Sequence, residues 1–369
     1  MLRVSLFLTF IFLFSSCKKD LVIVDGCTDP TAINWSSEAT YDNGSCEYDS
    51  NYVFQPTPYV INTPYGFPDM IIPFDNPLTV QGVELGKKLF NDPILSADNS
   101  LSCSGCHIQN NSFTNNTQYS VGIDNIEGFR NASALINLGW NTSFNWDGSI
   151  TTLEDQAFEP VTNPIEMHDT WLNVESKLNN DSTYLVMFKN AFNIDYIDSV
   201  HVVKAIAQFE RTLISVNSKY DKWIRQELQL SPSELNGYVI FNSEKGDCFH
   251  CHGTEMFMDN LFHNNGLDSE NFSDLGLFNV SNDPMDIAKF KTPTLRNVEF
   301  TAPYMHDGRF ETLEEVIEHY NSGGKYSPTV DPLMKKIGVG LQLTNSEKQD
   351  LVNFLKALSD YDYINVIRK

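Results

Sequence analysis

Two short stretches decide the fold of this chain: C-S-G-C-H at residues 103–107 and C-F-H-C-H at residues 248–252. Both have the form C-x-x-C-H, which is the attachment signal of c-type haem. Two thiols add to the vinyl groups on one edge of a porphyrin, and the adjacent histidine ligates the iron. The sequence therefore predicts two covalently attached haem c groups. Their predicted attachment residues and iron ligands are Cys103, Cys106 and His107, and Cys248, Cys251 and His252.

Zinc is the alternative to haem at these cysteines. One C-x-x-C-H motif alone is also consistent with a zinc half-site or a redox dithiol. Two copies would supply four thiolates to a single zinc ion. Each copy has its own histidine, however, and His107 is far from Cys248 along the chain. This arrangement favours two separate haems.

The N-terminus has the pattern of an export signal. Residues 2–14 are nearly all apolar, a run too short to span a bilayer, and S-S-C-K-K follows. This resembles a bacterial lipoprotein signal. We expect residues 1–16 to be removed, and Cys17 to be lipidated and to anchor the protein in a membrane, in the periplasm or at the cell surface. Ordinary secretion and an uncleaved anchor are the alternatives.

Residues 17–75 have a different character from the rest of the chain. The haem motifs and Cys17 account for five of the seven cysteines, so Cys27 and Cys46 remain and can pair in an oxidising compartment. Five prolines between residues 56 and 73 indicate an extended linker. We interpret the region as a lipid-anchored spacer with a small disulfide-closed module. Calcium binding in that module is an alternative, with Asp29, Asp42 and Asn43 as ligands.

The composition excludes some functions. The chain has 369 residues, with 25 Lys and Arg against 48 Asp and Glu, so its net charge is −23. Such a surface argues against binding nucleic acid or adhering to anionic lipid through a basic face. Hydrophobic residues make up 41% of the chain, enough for sizeable cores.

Helix signals surround both haem motifs. Thr79 is a candidate N-cap before the first motif, and S-P-S-E at residues 231–234 is a capping box before the second. Thr344 and Glu347 form another capping box after the second motif. No strand-rich region is evident. The chain is predicted to be mainly α, with two cytochrome c-like haem domains in tandem, at residues 76–220 and 221–369.

Several longer strings extend the haem motifs into a family pattern. Over residues 100–358 the sequence resembles the bacterial di-haem cytochrome c peroxidase and MauG family. The matching strings occur in the family's order. They are F-R-N-A-S at residue 129, F-N-W-D-G at 144, L-E-D-Q-A at 153, N-P-I-E-M-H at 163, K-T-P-T-L-R-N-V at 291 and T-A-P-Y-M-H-D-G-R-F at 301.

The resemblance implies a peroxidatic haem in the N-terminal domain and an electron-transfer haem in the C-terminal domain. Glu166 matches the catalytic acid/base, Gln156 matches a glutamine of the same pocket, and Trp146 matches the tryptophan between the haems. Hydrogen peroxide is then reduced to water with electrons from a small cytochrome c or a cupredoxin. The resemblance also implies a calcium ion, held by Asn131, Thr301 and Pro303, and it allows a homodimer.

The chain departs from the family pattern at the first haem. Many members cap the resting peroxidatic iron with a histidine from an S-x-G-H loop, but this loop reads S-V-G-I-D, with Ile123 at the histidine position. No histidine occurs between His107 and His168. We therefore expect the first haem to have an open or water-bound iron at rest.

The sixth ligand of the second haem is the other open point. Counting from the matched T-A-P-Y-M-H string places Tyr320 at the position that is tyrosine in MauG and methionine in many peroxidases. Met305 and Met334 are the rivals. Phenolate ligation would lower the haem potential relative to methionine. Three functions therefore stand: a peroxidase, a MauG-like oxidase of a protein substrate, and a non-catalytic electron-transfer protein.

Overall fold

The computed structural model describes residues 23–30, 32–48 and 53–365. The chain divides into two compact units, one that ends at Val53 and one that begins at Phe54. The predicted signal peptide and Cys17 lie outside the described residues. Within the described ranges, none of the helices combines the length and the apolar character that crossing a bilayer requires.

The smaller unit is held by a disulfide. Cys27 and Cys46, the two cysteines that the count leaves over, are bonded with their Cα atoms 4.7 Å apart. Two short parallel strands, β1 (Asp25–Gly26) and β2 (Tyr41–Asp42), lie beside it. The side-chain oxygen of Asp42 accepts a hydrogen bond from the Gly44 amide. Such local bonds are typical of turns.

Almost all of the regular secondary structure in the larger unit is helical, which confirms the predicted fold class. Its N-terminal half contains α1 (Val80–Asn91), α2 (Cys103–Cys106), α3 (Leu153–Thr162), α4 (Trp171–Asn179), α5 (Ser182–Phe192) and α6 (Ser199–Glu210). Its C-terminal half contains α7 (Lys219–Ile224), α8 (Pro232–Phe241), α9 (Phe249–His252), α10 (Phe278–Ser281), α11 (Leu313–Ser322), α12 (Asn345–Lys356) and α13 (Tyr361–Asn365). One antiparallel strand pair accompanies them, β3 (Phe262–His263) and β4 (Phe290–Lys291).

The helix starts follow the capping signals of the sequence. Thr79 accepts a hydrogen bond from the Gly82 amide at the start of α1. Complete capping boxes begin α8, at Ser231, and α12, at Thr344. These contacts satisfy amides that the first turn of a helix cannot pair internally, so the start of each helix is set locally.

The helix before each haem motif crosses a later helix at a glycine. A Cβ atom at Gly86 of α1 would lie 1.8 Å from the carbonyl oxygen of Ala205 on α6, and one at Gly237 of α8 would lie 2.0 Å from that of Asp350 on α12. Four residues beyond each glycine is a phenylalanine that packs against a phenylalanine of the crossing helix. The two pairs are Phe90 with Phe209 and Phe241 with Phe354, both with ring centroids 5.2 Å apart.

A second matched feature repeats in the two halves. F-N-W-D-G-S-I and Y-M-H-D-G-R-F form equivalent tight loops, closed by hydrogen bonds from the Phe144 amide to Ile150 and from the Tyr304 amide to Phe310. Asn145 and Met305 both have positive φ. α3 and α11 then begin after threonine caps. The halves are therefore two versions of one haem-binding frame in tandem.

The proline-rich segment is packed against the haem-binding body. The Trp140 indole donates to the carbonyl of Pro68, and the Phe67 ring lies 5.1 Å from the Trp140 ring. These two residues form a small buried cluster with Met256 and Met258. The larger unit therefore begins after Val53, earlier than residue 75, where the sequence predicts that the spacer ends. The boundary at residue 220 stays a prediction.

The glycine crossings yield the first prediction. Gly86→Ala and Gly237→Ala should each lower the free energy of unfolding by about 1–3 kcal/mol, because the added methyl group meets backbone that cannot rotate away. Denaturant unfolding of the haem-loaded protein measures the change. Gly128→Ala is the matched control, since a Cβ there would meet nothing closer than 3.7 Å. Equal stability of all four proteins would refute the close crossings.

Candidate di-haem site

The first haem motif forms a single helical turn with its histidine fixed. α2 ends at Cys106, and the Nδ1 atom of His107 lies 2.8 Å from the carbonyl oxygen of Phe113. A carbonyl only accepts, so Nδ1 holds the proton and Nε2 keeps its lone pair. Burial lowers the pKa of His107, which keeps the ring neutral. The imidazole is therefore prepared to ligate iron through Nε2.

The second motif repeats this arrangement. His252 follows Cys251 at the end of α9, and its Nδ1 lies 2.7 Å from the carbonyl oxygen of Phe257. Burial lowers the pKa of His252 as well. The rings of Phe113 and Phe257 belong to the cores of their respective halves. Each proximal histidine therefore hydrogen-bonds to the backbone of a phenylalanine whose ring packs in a hydrophobic core.

The four motif cysteines fit haem attachment better than zinc. None is in a disulfide. Burial raises the pKa of Cys103 and raises that of Cys248 to about 12, so both are neutral thiols. Cys103 packs against the N-terminal cores and Cys248 against the C-terminal core. In the described part of the chain, no metal-ligating cluster joins the two pairs, which argues against one four-thiolate zinc site.

Two other clusters of metal-ligating residues are occupied by charge pairs. His263 lies between Asp331, at 2.6 Å, and Asp259, at 2.8 Å, beside Cys251. Burial lowers the pKa of His263, but Asp259, Cys251 and Asp331 together raise it to about 11, so the ring is protonated and offers no lone pair. In the other cluster, the Lys335 ammonium lies 2.9 Å from Glu244 and 3.1 Å from His250.

Glu166 occupies a half-buried position at the first haem motif. Its carboxylate accepts a hydrogen bond of 2.7 Å from the Asn163 side-chain amide. Burial raises the pKa of Glu166, and the bond from Asn163 opposes that rise. Burial raises the pKa of Cys106 and the Glu166 carboxylate adds to that rise, so the two groups lie near each other. A carboxyl group whose pKa is raised by burial is a candidate proton donor and acceptor.

The loop with the S-V-G-I-D sequence lies directly against Glu166. The Ile123 amide donates to the Glu166 carbonyl at 3.0 Å. Gly122 packs so closely that a Cβ there would lie 2.2 Å from the Ile165 carbonyl oxygen. Asp124 is paired with His168 on the outer side of the loop. The segment that has a capping histidine in many relatives therefore presents Ile123 here.

Trp146 connects the two halves, whereas Gln156 has no comparable contact. The Trp146 indole donates to the Asn131 carbonyl at 2.8 Å, and its own carbonyl accepts from the Lys291 amide at 2.8 Å. Gln156 lies half-buried on α3, which leads into the loop of Glu166. Among the described residues its side-chain amide makes no hydrogen bond.

Tyr320 and Met305 meet at one amide group. The side-chain nitrogen of Asn265 lies 3.1 Å from the Tyr320 hydroxyl and 3.6 Å from the Met305 sulfur. Burial raises the pKa of Tyr320 to about 12, and the bond from Asn265 opposes that rise. A Cβ atom at Gly324 would lie 3.3 Å from the Asn265 carbonyl oxygen and 3.4 Å from the Met334 methyl group, so Met334 also lies near Asn265. Tyr320 and Met305 are the two proposed ligands that contact the Asn265 side-chain amide.

The predicted calcium positions lie on neighbouring segments. The Asn131 amide donates to the His306 carbonyl at 2.7 Å, next to the segment with Thr301 and Pro303. Both hydrogens of the Asn131 side-chain amide are directed at the carbonyls of Thr117 and Gln118. Its side-chain oxygen remains available to a hard cation.

Sequence reasoning missed the residues that join the halves. Arg130 donates to Asp147 at 2.6 Å and to Asp274 through both arms of its guanidinium, at 2.6 and 2.9 Å. Asp274 lies 144 residues away along the chain. Asn265, at the Tyr320 site, was missed as well. The F-R-N string contained Arg130, but nothing in it indicated the partner.

Two haem-attachment turns on matched helical frames, with an acid at one of them, define a di-haem c-type cytochrome with oxidoreductase chemistry. The sequence model of the family described as di-haem cytochrome c peroxidase matches residues 80–229. The chain belongs to the di-haem cytochrome c peroxidase and MauG family. Membership implies two c-type haems.

Characterised relatives cover most of the chain. Methylamine utilization protein MauG of Methylorubrum extorquens is 36% identical over 288 residues, which are 78% of this chain and 80% of that protein. Cytochrome c551 peroxidase of Nitrosomonas europaea is 34% identical over 75% of this chain and 79% of its own length. The crystal structure of a MauG-like protein associated with microbial copper homeostasis has a TM-score of 0.80, with 33% identity, 84% of this chain and 98% of that chain covered.

The second prediction concerns stoichiometry. A pyridine haemochrome assay should find two c-type haems per chain, and denaturation should not release them, because thioether bonds are covalent. Cys103→Ala with Cys106→Ala should leave one covalent haem, and so should the matching pair in the second motif. Finding zinc, or haem that is extracted by acid and solvent, would contradict this assignment.

Proposed function

We propose that this protein reduces hydrogen peroxide to water with electrons from a small cytochrome c or cupredoxin, and that Glu166 is the acid/base. The observation that supports this most strongly is the half-buried Glu166 carboxylate beside the first haem motif, bonded by Asn163. A protein that only conducts electrons has no need of an acid at that position.

When bound, the haems supply the redox chemistry of O–O cleavage. Glu166 takes the proton from one oxygen of peroxide and returns it to the leaving oxygen, which departs as water. Asn163 donates to one carboxylate oxygen and orients the group, so the other oxygen is free to handle the proton. Gln156 and Ile123 line the approach to this pocket in the proposal, and the apolar Ile123 limits access of bulk water.

Two electrons must reach the site from the second haem motif. Trp146 bonds both to Asn131 in the N-terminal half and to Lys291 in the C-terminal half. We assign it the role of electronic link between the two haems. Calcium at Asn131, Thr301 and Pro303 would stiffen the same junction, since it would bridge two segments that already share a backbone hydrogen bond.

The proposed setting is outside the cytoplasm. Lipidation at Cys17 would anchor the protein to a bacterial membrane, in the periplasm or at the cell surface. The disulfide between Cys27 and Cys46 supports an oxidising compartment. We also propose that the protein forms a homodimer, on the basis of its family resemblance.

MauG-like oxidation of a protein substrate is the second candidate. Tyr320 supports it, because its hydroxyl lies beside Asn265 at the second haem motif and phenolate ligation stabilises ferric iron. A low potential at the second haem would disfavour electron delivery from a conventional donor. Steady peroxide turnover with reduced cytochrome c or cupredoxin supports the peroxidase, and its absence from a peroxide-reactive holoprotein supports the second candidate.

The third prediction tests the acid/base. Glu166→Gln should retain both haems and lose ~10²–10⁴-fold in peroxide turnover, since the amide cannot relay the proton. Stopped-flow absorbance after peroxide addition measures the step. Glu127→Gln is the matched control, because Glu127 is an exposed carboxylate on the adjacent loop. Turnover near that of the unmodified protein would remove Glu166 from the mechanism.

The fourth prediction follows from Ile123. The fully oxidised protein should bind cyanide and react with peroxide without pre-reduction, because the loop against Glu166 offers no imidazole to the iron. Its ferric spectrum should contain one high-spin haem. Ile123→His should convert that haem to low spin if the loop reaches the iron. Two low-spin haems that ignore peroxide until an electron is added would show that another side chain caps the iron, with Tyr119 and Met167 the first to test.

A further inference from the structure

An aromatic cluster of oxidisable residues lies behind the second haem motif. The Tyr220 ring lies 5.1 Å from that of Phe257, whose carbonyl accepts the hydrogen bond from His252. Tyr220 also lies 5.9 Å from Trp223 and 6.2 Å from Tyr238. The Trp223 and Tyr238 rings are 5.0 Å apart and edge-on. These centroid distances are those of packed aromatic pairs.

The cluster runs from the core toward solvent. Phe257 is 4% exposed, whereas Tyr220, Tyr238 and Trp223 are all half-buried. α7, which presents Tyr220 and Trp223, is held in place because Asp221 forms a buried ion pair with Arg296 at 3.0 Å. The geometry of the two rings relative to the haem motif is therefore rigid.

The described ring contacts around the proximal carbonyl of the N-terminal half involve different residues. The rings around its proximal carbonyl are those of Phe90, Phe113 and Phe209, which resist oxidation. Tyr363 of α13, which packs against them, is 2% exposed, and its ring meets that of Phe113 edge-on at 5.6 Å. The two halves share one frame and differ in the rings that surround the proximal carbonyl.

We propose that Trp223, Tyr238 and Tyr220 form an electron relay between the protein surface and the C-terminal haem. This inference rests on the proposed function, because hydrogen peroxide is the oxidant. Reduction of one peroxide to two waters consumes two electrons and two protons. Each electron passes from the Trp223 and Tyr238 pair through Tyr220 to the edge of Phe257 and His252.

The oxidised ring is restored one step at a time, by one electron from the donor protein and one proton from solvent. Without a donor, Trp223 itself is consumed. The indole adds one whole water molecule and releases two electrons and two protons, which gives a hydroxylated indole with a net gain of one oxygen atom. These electrons and protons balance the reduction of one peroxide to two waters. The relay should therefore leave a covalent oxidation product at Trp223.

The experiment adds peroxide alone to the protein with both haems bound. Peptide mass spectrometry should find oxygen added at Trp223 and Tyr238. Electron paramagnetic resonance should detect an aromatic radical before these oxidation products form. Trp223→Phe should prolong the oxidised haem spectrum several-fold. Trp171→Phe is the matched control. Trp171 lies on α4 and packs against Phe158 of α3, far along the chain from α7.

Tyr220→Phe separates the relay from simple surface exposure. Phenylalanine keeps the ring packing, so Trp223 stays as accessible as before, yet its oxidation should fall several-fold because the middle of the path is broken. Tyr238→Phe should lower the oxidation of Trp223 less than Tyr220→Phe does. Haem spectra and unfolding midpoints that match the unmodified protein verify that the variants are folded.

The outcomes distinguish the two proposals. A holoprotein that does not react with peroxide would overturn both of them. Reaction with peroxide, combined with unchanged oxidised-state lifetimes in Trp223→Phe or with undiminished Trp223 oxidation in Tyr220→Phe, would overturn the relay and leave the peroxidase intact.

Discussion

The hydrogen bond from each proximal histidine to a core carbonyl is the contact on which this structure depends. His107 bonds to Phe113 and His252 bonds to Phe257. Each bond sets the tautomer of the ring, so that Nε2 faces the iron position. The ring of the accepting phenylalanine is packed in the core of its own half. The haem-binding turn and the hydrophobic core therefore constrain each other.

The halves share this frame and differ in what surrounds it. Glycine crossings at Gly86 and Gly237 bring the helices together in the same way. Beside the first motif, the frame has the half-buried acid Glu166 and a loop with Ile123 at the position of the capping histidine. Beside the second, it has Tyr320 and Met305 at one amide and an oxidisable aromatic cluster. In the function that we propose, one architecture supports proton transfer in one half and electron transfer in the other.

Arg130 and Trp146 make polar contacts that join the two halves. Arg130 is paired with a carboxylate in its own half and with Asp274 in the other. Trp146 bonds to backbone on both sides. Burial strengthens such pairs and makes breaking them costly, because a lone buried charge remains. The same junction contains the proposed calcium ligands, so the proposed electronic link and the proposed calcium bridge would lie at one place.

The sequence by itself determined the features that are local. The haem attachment signal consists of five consecutive residues. Helix starts such as those at Thr79 and Ser231 depend on hydrogen bonds within one turn. Glu166 was identified only through family resemblance, since a lone glutamate has no distinctive pattern. The tertiary structure decided which distant groups meet: Asn265 with Tyr320, Arg130 with Asp274, and Phe67 of the proline-rich segment with Trp140. Such contacts arise from packing of the whole body, and no periodicity or spacing along the chain encodes them.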